Sequence, residues 1–170
     1  MAHLFEQYGH RMYLYFLRST GSRVDAEDLL QNLFERMLRY RHTYKAKAKF
    51  TTWMYQIANN LKADYYKTQS KDLDRKSAYY KEIKSKEYHF SLDLTDESAI
   101  KKQLLARAMS QLPDGQREVL ILGKYEGLRY SVIGKILGCS EGAVKVRIYR
   151  AIKELKEICE QLAEEMNYEF

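Results

Sequence analysis

The chain has 170 residues, 45% of them hydrophobic, and a formal net charge of +6, which suits one medium domain or two small ones with ordinary cores. A single Pro and only 8 Gly point to long helices and few turns, and no apolar run approaches the ~20 residues that cross a bilayer. The only cysteines, Cys139 and Cys159, make no metal-ligand set, and the first 17 residues mix charged and polar groups, so a soluble protein of a reducing compartment without an export signal is expected.

Residues 4–18 carry Leu4, Phe5, Tyr8, Met12, Tyr15 and Phe16 at helical spacing, a bulky stripe that belongs to a core. Thr20-Gly21-Ser22 closes that helix, and a second follows over residues 25–40, with Asp25 expected as its N-cap. Leu29, Leu30, Leu33, Phe34, Met37 and Leu38 form its wide apolar face. Outside that face lie Asp25, Glu27, Asp28, Gln31, Asn32 and Glu35, an acidic and amide-rich surface in an otherwise basic half. Solvation and helix-dipole complementation account for it in the plainest way; a docking face for a partner is the sharper reading.

Between Arg41 and Lys86 there are 12 Lys/Arg against 4 Asp/Glu, so the positive charge is concentrated there and the remainder of the chain is slightly acidic. Such concentration suits nucleic acid better than a diffuse excess does. Residues 41–49 lack helical periodicity and read as a flexible basic loop. A third helix is expected to start near Thr51 or Thr52, burying Phe50, Trp53, Met54, Ile57, Ala58 and Leu61. Basic, aromatic and amide residues interleave along it, a pattern fitted to unpaired bases and phosphates, although Trp53 alone reads as core.

From residue 68 to about 91 the sequence is polar, without a consistent apolar face, Pro or Gly, and reads as an inter-domain linker. Helical signal resumes at about Asp96, with Ile100, Leu104, Leu105, Ala108, Met109 and Leu112 on the apolar side, and Pro113-Asp114 makes a turn. Gln116 to Tyr125 is the next helix, ended by Glu126 and Gly127; Tyr130 to Leu137 is a short one. Gly138-Cys139-Ser140 then forms a turn, glycine ending one helix and serine opening the next. From Glu141 the last helix carries Val144, Ile148, Ala151, Ile152 and Leu155 on its inner stripe, with Lys145, Arg147, Arg150 and Lys153 largely off it. A short helix, a tight turn and a basic amphipathic helix make a helix-turn-helix; a helical hairpin with a solvated basic face is the alternative. Five Glu and no basic residue follow Lys156, a tail expected to be a solvated helix end.

Catalytic patterns are lacking. His3, His10, His42 and His89 are scattered, and there is no Gly-rich phosphate loop, nucleophile elbow or metal signature. Neither enzymatic activity nor a cofactor is expected.

Taken in order, these segments resemble an extracytoplasmic-function sigma factor, a small member of the bacterial sigma-70 family. DAEDLLQNLFERML (25–38) is similar to the family's core-polymerase-binding helix, and FTTWMYQIANNLKADYYK (50–67) to the helix that melts and reads the minus-ten element. LPDGQREVLIL (112–122) and SEGAVKVRIYRAIKEL (140–155) are similar to the minus-thirty-five domain. The similarity covers nearly the whole chain outside the linker. It implies an all-α fold of two small helical domains joined by a polar linker, with a region 2 domain over 1–68, the linker over 69–95 and a region 4 helix-turn-helix over 96–170.

The resemblance also implies roles. Asp25, Asp28, Leu29, Gln31, Asn32 and Glu35 would bind the clamp helices of the largest polymerase subunit, and the C-terminal domain the beta flap. Lys45, Lys47 and Lys49 would help capture a flipped minus-ten base, with Trp53, Gln56, Asn59, Asn60, Lys62 and Asp64 on the reading helix. An Asp beside DNA cannot face phosphate, so a base amine or a neighbouring Lys is the expected partner of Asp64. Ser140, Glu141, Lys145, Val146, Arg147 and Arg150 would meet the minus-thirty-five element. Val146 and Ala143 stand where Ser and Thr are usual, moving readout toward Arg, thymine methyls and DNA shape. Val132 and Gly134 replace the usual Glu and Ala, the glycine at about 0.5–1 kcal/mol of helix stability. The family's large N-terminal inhibitory region is absent, so weak promoter binding without polymerase is expected. An anti-sigma partner and a cytoplasmic location, with possible retention at the inner membrane by that partner, complete the implications. Two other functions compete: a stand-alone helix-turn-helix regulator of duplex DNA, and a protein-binding decoy of the same fold.

Overall fold

A computed structural model describes residues 2–73 and 97–165, and every described element is helical. Seven α-helices follow one another: α1 (Ala2–Thr20), α2 (Arg23–Arg39), α3 (Phe50–Leu73), α4 (Glu97–Gln111), α5 (Asp114–Leu120), α6 (Tyr130–Leu137) and α7 (Glu141–Glu165). The expected linker lies outside the described residues from residue 74 onward, and so does the expected helix onset at Asp96. Without Pro or Gly to stop it, α3 continues to Leu73, past residue 68.

α1 turns the faces of Met12, Tyr15 and Phe16 fully inward, and Gly21, at φ 72°, makes the left-handed exit that a Cβ would resist. The N-cap of α2 is Ser22, whose Oγ accepts the Asp25 N–H at 3.2 Å. Asp25 therefore sits one turn inside the helix, not at its cap, where its charge still favours the positive end. Ala26, Leu29, Leu33, Phe34 and Met37 of α2 are buried against α1 and against Met54, Tyr55, Ala58 and Leu61 of α3.

In the C-terminal half, the carbonyls at and just beyond the end of α4 lack intrahelical partners and are taken up by one guanidinium. Arg117 donates to the carbonyls of Met109 (2.9 Å), Ser110 (2.9 Å) and Leu112 (2.7 Å). The helix expected over Gln116–Tyr125 is interrupted: α5 passes at Ile121 into a wide π-helical turn through Tyr125, closed by the Glu126 N–H on the Ile121 carbonyl at 2.9 Å.

α6 and α7 form the helix-turn-helix at the expected boundaries. Gly138 takes the left-handed conformation (φ 66°, ψ 36°), and the Cys139 N–H returns to the Gly134 carbonyl at 2.9 Å. Gly134 is needed by this turn, since a Cβ there would lie 2.6 Å from the Cys139 carbonyl oxygen. Val144, Ile148 and Ala151 of α7 are buried, whereas Ile152, expected on that stripe, is exposed. The acidic end of α7 is more than a solvated tail, because Leu162 and Ala163 pack with Leu104 and Ala108 of α4 in a small separate cluster. The main hydrophobic cluster runs without a break from α1–α3 into α5–α7.

Candidate nucleic-acid interface

Three surfaces carry the residues singled out above. On α7, Ser140 caps the helix by accepting the Ala143 N–H at 3.1 Å. Glu141, Lys145, Val146, Arg147 and Arg150 are all exposed on the first three turns. Lys145 pairs with Glu141 at 3.3 Å, an exposed i,i+4 contact worth a few tenths of a kcal/mol that a phosphate can replace. Arg147 and Arg150 have no carboxylate partner among the described residues.

The second surface is the start of α3 and the loop before it. Lys45, Lys47 and Lys49 are exposed, but the loop is anchored and structured, beginning with a single 3₁₀ turn at Arg41–Thr43. Tyr44 packs its ring on Phe50 (5.7 Å) and Trp53 (5.5 Å), and Trp53 Nε1 donates to Thr43 Oγ1 at 3.1 Å. Aromatic contact thus replaces helical periodicity as the ordering force, and three lysines surround a small aromatic cluster. Asn59 is half-buried and Asn60 exposed. Asp64 pairs with Arg36 of α2 at 2.9 Å, an intramolecular cation in place of the expected base amine or lysine.

Lys62 departs from expectation. It is 5% exposed, its ammonium lies on Glu118 of α5, and it donates to Ser19 Oγ at 3.2 Å. A buried ammonium without a countercharge costs several kcal/mol, so the position is held by Glu118 and unavailable to DNA in this arrangement. Burial, and after it the Arg117 guanidinium, lowers the Lys62 pKa to about 7.

Lys62 belongs to a polar seam that joins the two halves. Glu118 also accepts from Tyr15 Oη at 2.6 Å. Glu126, 7% exposed at the end of the π-helical turn, accepts from Arg11 Nε at 2.7 Å and Tyr55 Oη at 2.5 Å, with Arg18 at 3.6 Å. Arg117 reaches across to the Ser19 carbonyl at 3.1 Å, and Gln56 Nε2, expected to read the minus-ten strand, donates to the Lys135 carbonyl of α6 at 3.0 Å. Burial pushes the Tyr15 hydroxyl well above its usual pKa; burial and the Glu126 hydrogen bond do the same for Tyr55, keeping both as donors. Glu126, expected only as a helix breaker, and Glu118, with no expected role, are thus the buried acceptors of the seam. Two glutamates on either side of the apolar run Val119–Leu122 were the available signal.

The third surface is the outer ridge of α2. Asp28, Gln31, Asn32 and Glu35 are exposed in a row, while Asp25 is half-buried and accepts from Tyr65 Oη at 2.6 Å. Leu29 is 5% exposed and belongs to the core, which corrects its expected place at a polymerase contact. Its apolar side chain is worth more against α1 and α3 than on a polar ridge. A groove of about 530 Å³ runs along the ridge, lined by Phe5, Leu30, Phe34 and Leu38 together with Gln31 and Glu35. Phe5 and Leu38 are exposed there, apolar contacts that the acidic reading overlooked.

Comparison with known proteins decides the family. Residues 4–72 match sigma-70 region 2 and residues 102–155 match sigma-70 region 4. The ECF RNA polymerase sigma-E factor of Escherichia coli is 31% identical over 139 residues, covering 75% of this chain and 70% of that protein. The chain belongs to the sigma-70 family, in its extracytoplasmic-function branch. The ECF RNA polymerase sigma factor BldN of Streptomyces coelicolor is 29% identical across 89% of this chain, which spans 57% of that longer relative. The fold is also that of the sigma factor RpoE of Bartonella quintana, solved in complex with the anti-sigma factor NepR, with a TM-score of 0.71, 20% identity and coverage of 92% of this chain and 94% of that one.

Proposed function

We propose that this protein is an alternative sigma factor that recruits core RNA polymerase to promoters bearing minus-thirty-five and minus-ten elements and promotes their melting, with no chemistry of its own. Residues 1–73, through the end of α3, form the polymerase-binding and melting domain, and the minus-thirty-five domain, over 96–170, follows the linker. The acid and amide ridge of Asp28, Gln31, Asn32 and Glu35, with Asp25 behind it, meets the clamp helices of the largest subunit, and the apolar groove beside it adds buried area. Lys45, Lys47 and Lys49 face the melted minus-ten strand with Trp53, Asn59 and Asn60 behind them. Ser140, Glu141, Lys145, Val146, Arg147 and Arg150 meet the minus-thirty-five duplex, and the C-terminal domain rests on the beta flap. The protein works in the cytoplasm, and the anti-sigma partner of its Bartonella fold relative supports a comparable inhibitor here.

One observation carries this reading. An exposed acidic ridge stands on the same small helical unit as a basic, aromatic loop, an arrangement that duplex binding alone does not need. Elements centred about 25 base pairs apart are roughly 85 Å distant at ~3.4 Å per step, whereas a compact chain of this length has a radius of gyration of about 15 Å. Polymerase-bound protein therefore separates its halves, releasing Lys62 and Gln56 from the seam. Multi-round transcription with core polymerase tests the reading: sequence-specific initiation should appear with the protein and fall at least tenfold with Asp28→Lys. Duplex binding without initiation, indifferent to Asp28→Lys, would favour a stand-alone regulator.

A further inference from the structure

The outer face of α7 has an unexpected centre. Val146 is 49% exposed and Tyr149 73% exposed, and at 3.6 residues per turn they share one face with Gly142, opposite the buried Val144, Ile148 and Ala151. Lys145 on one side and Arg150 and Arg147 on the other frame that face, Lys153 continues it one turn on, and all are exposed, so an apolar strip sits inside a cationic rim. A polyanion with apolar groups at the floor of a groove is the matching surface. From Glu141 to Ile152 there is no Asn, Gln, Ser or Thr, the side chains other than Arg and Lys that would hydrogen-bond an A·T pair in the major groove. Thymine still offers its 5-methyl group there. Gly142 serves no packing need, since a Cβ at that position would meet nothing nearer than Ser140 Oγ at 3.9 Å. Its bare backbone lets the first turn approach base edges closely, bringing the strip behind it to methyl depth.

We infer that α7 recognises thymine 5-methyl groups in the minus-thirty-five major groove through Val146 and Tyr149, which makes these two residues specificity determinants. The inference rests on the sigma-factor reading and adds Tyr149 to it. Val146 and Tyr149 are separated by about 4.5 Å along the helix axis, close to one base-pair step of ~3.4 Å, so the two methyls belong to the same or adjacent steps. Arg147 and Arg150 supply guanine and phosphate contacts at the rim.

The test uses holoenzyme and a minus-thirty-five element selected by it from a random duplex library, with each thymine replaced in turn by uracil, which removes only the methyl. Fluorescence anisotropy should show about fourfold weaker binding per lost methyl contact at one or two neighbouring positions. Val146→Ala should abolish the uracil effect at one position and Tyr149→Ala at the same or the adjacent one, and neither exposed residue is needed for folding. Specific initiation combined with tolerance of uracil at every thymine would overturn the inference and leave the sigma-factor reading standing. A uracil effect retained in both variants would do the same. No initiation on any promoter would remove both.

Discussion

α3 and α7 were both expected to meet DNA, and they stand in opposite states. α7 leaves its cations exposed, with Arg147 and Arg150 lacking carboxylate partners among the described residues. α3 has Lys62 and Gln56 committed to the C-terminal half, one on Glu118 and the other on the Lys135 carbonyl. Under the proposed function, the duplex-reading helix would be ready in the closed molecule, whereas part of the strand-melting helix would be held back. The difference lies in what each helix buries. α7 buries an aliphatic stripe that leaves its polar face whole, and α3 buries an aromatic and polar face that needs buried counter-groups.

Breaking the seam has the largest expected effect. Below pH 7, where Lys62 is charged, Lys62→Met leaves Glu118 buried beside Tyr15 without its ammonium, at a cost of about 3–5 kcal/mol to the closed arrangement. Urea unfolding should reveal that loss. Lys62→Met combined with Glu118→Leu should recover most of it, since removing both partners of a buried pair is often neutral. If the double substitution is as damaging as the single one, Tyr15 and Ser19 rather than the ion pair hold the seam. Hydrogen exchange in α6 would report the same opening independently.

The C-terminal half has its own weak point, at the turn. Gly134→Ala would put a Cβ 2.6 Å from the Cys139 carbonyl, and relieving such a clash costs about 1–3 kcal/mol. The melting temperature should fall, and minus-thirty-five affinity should fall with it because the turn aims α7. A variant as stable as the parent would show that the turn can shift without cost.

Gly134 also marks a limit of sequence reasoning. By propensity it is a defect in a helix, and only the path of Cys139 makes it necessary. Periodicity located each described α-helix and the Gly138 turn because local sequence sets those features. It placed Ile152 inside, since a helical stripe does not say how wide its partner is. The π-helical turn over Ile121–Tyr125 left no local signal, and with it went the role of Glu126. Lys62 was misplaced because family motifs assign residues to a surface, while packing between two halves distant in sequence decides which of them remain on it; Leu29 lies where its helical stripe put it, inside the N-terminal half against α1 and α3. Trp53 read correctly as packing, though its partners came from a loop expected to be flexible. The acidic ridge was legible because Asp28, Gln31, Asn32 and Glu35 all stay exposed.

A pH dependence of closing is also expected, through Lys62. Burial holds its pKa near 7 in the closed molecule against 10.5 when free. Between those values the opened chain carries a proton that the closed one does not, so opening takes up a proton. Closing is then favoured as pH rises from 7 toward 10, by at most about 1.4 kcal/mol per pH unit. Below 7 both forms are charged and the dependence levels off. Above 10 the sign reverses, because Tyr15 and Tyr55, raised by burial, ionise more readily once exposed. Energy transfer between fluorophores on the two halves, followed from pH 7 to 10, should show the closed population growing in the parent and staying flat in Lys62→Met. A decline over that range in the parent would mean that the charged pair with Glu118 outweighs the desolvation of Lys62, and that protonation closes the seam.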